Sequence, residues 1–192
     1  CEPVLVAVPT ENFFTDISDQ SGIRVGNYSE NPPDGTIINV HSRQGFADIN
    51  GDGFDDIVMH SLYPNPQNGV PFEHLVFLNS GDGTFTDHSD ASGLRNIQAA
   101  FFAFGDVDND GDLDLVFADG EGFSSAGRKR QNKLAINMLV ERGSKSFVTD
   151  SVARLGGLKS NGKGVASGDV NRDGYVHLLF LNAFNTDPPF LY

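Results

Sequence analysis

The chain has 192 residues, 39% of them hydrophobic and 20% charged, enough for a domain with its own core and too apolar for a disordered chain. Acidic residues outnumber basic ones by 26 to 13, for a net charge of −13. A field of that sign repels phosphate backbones and anionic lipid, so nucleic acid is excluded as an expected partner.

Read from its start, the chain opens with residues 1–11, which form an N-terminal tether. Cys1 is the only cysteine, so no intramolecular disulfide is expected. Cys1 followed by Glu2, Pro3 and Val4 resembles the mature N-terminus of a bacterial lipoprotein. That resemblance implies a lipid on Cys1 and an extracytoplasmic location, periplasm or cell surface, with the membrane reached only through the lipid anchor. The alternative is an arbitrary start; the complete lack of other cysteines favours the anchor. No apolar run approaches the roughly 18–20 residues that cross a bilayer.

Beyond the tether the chain repeats itself. Twenty-two Gly, nine Pro, sixteen Phe and no Trp favour short strands joined by tight turns, an all-β chain. Segments 46–58, 104–116 and 167–179 align without gaps and start 58 and then 63 residues apart. A second element, 12–23, returns at 83–94 and, more weakly, at 147–158. Each unit reads as a strand, an Asp-rich loop, a second strand (57–60, 113–118, 178–181), a variable connection, a third strand (74–79, 133–140), a turn such as Ser80-Gly81-Asp82-Gly83, and a closing strand. Four antiparallel strands in about 60 residues is the blade of a β-propeller. The blades fall at about 45–94, 105–158 and, in part, 168–192. Phe190, Leu191 and Tyr192 read as the start of another third strand, so the sequence is expected to be a piece of a longer propeller.

Numbered from its first Asp, each loop carries oxygen-bearing side chains at positions 1, 3 and 5 and Gly at 6. Calcium takes six to eight hard oxygen ligands, and a Gly after the third ligand lets the chain bend back to the ion. Loop one would supply Asp48, Asn50, Asp52, Asp56 and the carbonyl of Phe54. Loop two would supply Asp106, Asp108, Asp110, Asp114 and the carbonyl of Asp112. Loop three offers Asp169, Asn171, Asp173 and the carbonyl of Tyr175, but position 9 is His177, a poor ligand for a hard cation. Site three is expected to bind more weakly or stand empty. An EF-hand is ruled out at position 12, where Met59, Phe117 and Phe180 replace the bidentate Glu.

An Asp at position 9 running straight into an apolar strand resembles the FG-GAP or VCBS repeat, the calcium hairpin loop of integrin α-subunit propellers and of many bacterial extracellular proteins. The Phe-Thr-Asp-x-Ser-x-x-Ser-Gly segments resemble the closing strands of proteins related to cartilage acidic protein. The resemblance covers about residues 12–192. It implies a propeller of about seven blades that binds calcium and works, without catalysis, as a scaffold or protein-interaction module, in one version as a lipid-anchored accessory subunit of a membrane complex. The implied partners are proteins or other subunits, with carbohydrate a further candidate ligand. The alternative is the propeller part of an extracellular carbohydrate-active lyase or dehydratase.

The five histidines (41, 60, 74, 88 and 177) lack zinc-site spacing and are expected at surface or strand positions. Residues 122–127 lack the Gly-x-Ser-x-Gly elbow of a serine nucleophile. The basic run 128–130 reads as a solvated loop, and Asn27-Tyr28-Ser29 is a glycosylation acceptor by pattern alone.

Overall fold

The computed structural model describes residues 14–23, 43–60, 74–94, 97, 99, 101–118, 130–149, 155, 159–160, 162–182 and 188–192. Within them lie two short helical turns, α1 (Ser18–Ser21) and α2 (Leu139–Arg142), and thirteen strands. In chain order the strands are β1 (Gln44–Ala47), β2 (Asp56–His60), β3 (His74–Asn79), β4 (Phe85–Asp87), β5 (Phe101–Gly105), β6 (Asp114–Ala118), β7 (Arg130–Gln131), β8 (Lys133–Asn137), β9 (Phe147–Thr149), β10 (Lys159–Ser160), β11 (Gly162–Gly168), β12 (His177–Asn182) and β13 (Phe190–Leu191). The chain is all-β, as its composition predicts.

Two sheets have four antiparallel strands each, in the orders β1-β2-β3-β4 and β5-β6-β8-β9. A third, β11-β12-β13, repeats the first three strands of that pattern. These are the blades of a β-propeller. Their first strands lie side by side: the position a Cβ would take on Gly45 is 2.7 Å from the Phe104 ring, and Ser167 donates a hydrogen bond to the Phe104 carbonyl.

The middle strands of the first two sheets are apolar on both faces because those sheets are covered on both sides. Such strands read as continuous apolar runs rather than alternating ones, and β6 is buried along its whole length. Val58 and Val76 of the first blade pack with Leu115, Phe117 and Ala135 of the second. On the other face of the second blade, Val116, Ala118, Leu134 and Ile136 pack with Leu178 and Phe180 of the third. Leu179 and Leu181, which by repeat alignment match Val116 and Ala118, are 38% and 49% exposed.

The segments ending in Ser-Gly tie one blade to the next. In the first closing segment the Ser89 hydroxyl accepts from Val76 N–H and donates to Asp87, while Leu94 N–H donates to the Ser92 hydroxyl. Phe147 N–H then donates to the Ser92 carbonyl, at 2.8 Å. Gly93 sits at φ +78°, and a Cβ there would lie 2.1 Å from the Phe147 carbonyl oxygen. Backbone cannot yield as a side-chain end can, so Gly93→Ala should lower stability by about 3 kcal/mol or more. Gly143→Ala, at φ +63° with nothing within 4 Å, should cost only about 1 kcal/mol. Urea unfolding midpoints compare the two.

Two local expectations change. The third strand of the second blade ends at Asn137 rather than 140, because Leu139–Arg142 forms the helical turn α2 and closes through a left-handed Gly143. The element at 12–23, described from residue 14, contains the turn α1 rather than a strand. His60 and His74 are a buried cross-strand pair of β2 and β3. The His74 Nε2 donates to the Ala99 carbonyl at 2.9 Å, and burial and then His60 push its pKa down to about 3, so it stays neutral.

Candidate metal centre

Each Asp-rich loop is the hairpin between the first two strands of a blade: 48–55 between β1 and β2, 106–113 between β5 and β6, and 169–176 between β11 and β12. The loops share one backbone design. The Asp at position 1 accepts N–H bonds from positions 5 and 6: Asp48 from Asp52 and Gly53, Asp106 from Asp110 and Gly111, Asp169 from Asp173 and Gly174. The Gly at position 6 has positive φ each time, +103° at Gly111, where a side chain would be strained. Among the described residues this fold brings metal-ligating side chains together within 4.8 Å in loops two and three, but not in loop one.

The position-9 Asp has a different task. Asp56 accepts from Ile49 N–H at 3.1 Å and from Asn79 N–H at 2.8 Å; Asp114 accepts from Val107 N–H at 2.9 Å and from Asn137 N–H at 2.8 Å. Both carboxylates are fully buried, and each stitches the loop to the third strand of its blade. In loop three that place belongs to His177, whose Nδ1 lies 3.2 Å from the Tyr175 carbonyl, and the loop is exposed.

Loop two gathers the densest charge. One carboxylate oxygen from each of Asp106, Asp108 and Asp114 lies within 4.8 Å of the others, and the same holds for Asp108, Asp110 and Glu141. Ligand oxygens on opposite sides of one calcium ion stand about 4.8 Å apart. Asp112 is 7% exposed; its Oδ2 accepts from Val140 N–H at 3.0 Å, while its Oδ1 and the Oδ2 of Asp110 are buried without a hydrogen-bond partner. Buried carboxylate oxygens without donors are costly. An all-oxygen donor set with orphaned oxygens fits a hard divalent cation. In loop three Asp169, Asp173 and His177 converge within 4.8 Å, whereas the carboxylates of Asp48, Asp52 and Asp56 in loop one form no such group, both oxygens of Asp56 being taken by Ile49 and Asn79 N–H. Phe54 and Tyr175, expected to offer carbonyls, hold exposed side chains. Cys1 lies outside the described residues, as do 27–29, 122–127 and 128–129.

Burial, the largest cause, raises the pKa of Asp114 to about 7 and of Asp112 to about 6, and also raises that of Asp56; neighbouring carboxylates add to each shift. Groups whose folded pKa is raised bind protons more tightly in the folded than in the unfolded chain. Their contribution to stability is full below the ordinary 3.8 and is lost as pH rises through about 7. Metal-free protein should therefore melt at a lower temperature as pH rises from about 5 to about 8. A bound cation favours the ionised carboxylates, so calcium should flatten or reverse that slope, and melting curves across pH with calcium or EDTA read the difference.

Three contributors escaped the sequence reading. Asn79 and Asn137 each follow their position-9 Asp by 23 residues, a regularity that marks them as a pair. Glu141 carries no such signal, because the first blade has a tight turn rather than a helical one at that place.

Residues 48–117 match the model of the FG-GAP-like repeat. No curated protein matches the chain. Among solved structures it resembles a lectin from Agrocybe aegerita described as specifically recognising non-reducing terminal N-acetylglucosamine, with TM-score 0.43 and 19% identity over 79% of this chain and 38% of that one. The chain thus spans well under half the length of that lectin.

Proposed function

From the FG-GAP-like repeat at residues 48–117, we propose that the protein is a calcium-stabilised propeller module whose role is to present a binding surface rather than to catalyse. The observation that carries this reading is the convergence of Asp106, Asp108 and Asp114 in a loop whose Asp110 and Asp112 keep buried, donorless oxygens. Loop two would hold the ion through Asp106, Asp108, Asp110, Asp114 and the Asp112 carbonyl. Loop one would use Asp48, Asn50, Asp52, Asp56 and the Phe54 carbonyl. Loop three, with Asp169, Asn171, Asp173 and the Tyr175 carbonyl, is the weak site, because His177 replaces the buried Asp that fixes the other two.

When bound, calcium supplies positive charge against which the loop carboxylates stop repelling one another. The residues do the rest: position 1 sets the loop backbone, and position 9 ties it to the third strand. At ten times its dissociation constant the ion adds about 1.4 kcal/mol per site. Extracellular modules work with affinities of about 10⁻⁴ to 10⁻³ M, which suits the proposed extracytoplasmic setting and anchoring through Cys1. The exposed Leu179 and Leu181 favour another four-stranded unit as the partner, in this chain or another, since their counterparts Val116 and Ala118 are covered by the next blade.

Thermal melting tests the reading. Calcium should raise the melting temperature over EDTA by several degrees and magnesium should do so less; identical curves overturn it.

A further inference from the structure

The loop-two site is one residue larger than its repeat motif. We propose that Glu141, from the helical turn α2, is an additional ligand of the cation in loop two, joining that turn to the metal. The inference rests on the calcium reading of loop two and deepens it.

Three observations carry it. A Glu141 carboxylate oxygen lies within 4.8 Å of oxygens of both Asp108 and Asp110, and Asp108 also belongs to the cluster with Asp106 and Asp114. The two groups share Asp108, which places Glu141 next to the loop-two cluster. Second, the orphaned Oδ1 belongs to Asp112, more than nine-tenths buried, whose other oxygen accepts from Val140, the neighbour of Glu141. Loop two and α2 thus meet at an acidic wall with no donor for that oxygen. Third, α2 is held in place independently of any metal: Gly143 N–H donates to the Leu139 carbonyl, and the Leu139 side chain lies 3.2 Å from where Gly51 of loop one would carry a Cβ. Glu141, itself exposed, is therefore carried by a turn whose backbone is fixed.

Loop one lacks this contribution among the described residues. At the matching place in the first blade stands the tight turn Ser80-Gly81-Asp82-Gly83, whose Asp82 is engaged with Thr84 through both the N–H and the hydroxyl. The consequence is that loop two binds more tightly than loop one.

Calcium titration followed by calorimetry of the intact chain tests this, with wild type, Glu141→Gln and Asp90→Asn, which removes the same charge from an exposed position on a closing segment. The expected result is an unchanged number of bound ions in Glu141→Gln, with the tightest site weakened about tenfold, while Asp90→Asn matches wild type. Superimposable isotherms for wild type and Glu141→Gln overturn the proposal and leave the calcium reading standing. Loss of a whole equivalent also overturns it, since Glu141 would then hold an ion of its own. Equal weakening by Asp90→Asn overturns it in favour of net charge. A wild type that binds no calcium overturns both.

Discussion

Replacing Asp114 by Ala will lower stability by about 2–4 kcal/mol in EDTA as well as in calcium, a larger loss than at position 1 of the same loop. The carboxylate accepts from Val107 N–H and Asn137 N–H, and its side chain is fully buried. Truncation leaves two backbone donors that water cannot readily reach, each costing about 1–3 kcal/mol. Part of that cost is offset because a carboxylate with pKa about 7 is itself strained when ionised. Asp106→Ala behaves differently. Its carboxylate accepts from Asp110 and Gly111 in a loop where water can replace it, so without metal the loss should stay under about 1 kcal/mol. With calcium it grows by the linkage energy of the lost site. Urea unfolding of both variants, with and without calcium, separates the residue that builds the loop from the one that serves the ion.

Asn137→Ala should cost about 2–4 kcal/mol and is the second large effect. The Asn137 amide donates to the Ile49 carbonyl at 2.8 Å and the Leu113 carbonyl at 3.2 Å, and its oxygen accepts from Leu139 N–H at 3.3 Å. Ile49 belongs to loop one and Leu113 to loop two, so one buried side chain pins the two loops together across the blade boundary. Removing it leaves two carbonyls and one N–H without partners, together with a cavity. The repeat supplies its own control. Asn79 occupies the same place in the first blade but donates only to Asp55, at an exposed position, and Asn79→Ala should cost about 1 kcal/mol. Equal losses at the two sites would contradict the bridging role of Asn137.

These two residues also show what the sequence could and could not convey. Strand order and loop positions follow from composition and from a repeat that aligns without gaps, because backbone geometry repeats wherever Asp, Gly and apolar residues recur in the same order. The ligand candidates were legible for the same reason. The division of labour between Asp106 and Asp114 was not, because both are Asp in the motif and only burial tells them apart. Asn137 hides in an apolar run that looks like uninterrupted strand to residue 140, yet it ends the strand. Glu141 depends on a turn that differs between blades, and a repeat argument is blind to what its copies do not share. His177 was legible as a departure, and its cost is visible in loop three, where the imidazole lies against the Tyr175 carbonyl at an exposed site.

The central claim, that loops one and two are built to hold calcium, is tested most directly by counting bound ions. Equilibrium dialysis of the metal-stripped chain against calcium, with metal analysis of the protein, should give saturable binding to at least two sites, one of them lost in Asp106→Ala. No calcium retained above the buffer, or the same number retained by wild type and Asp106→Ala, would contradict the account.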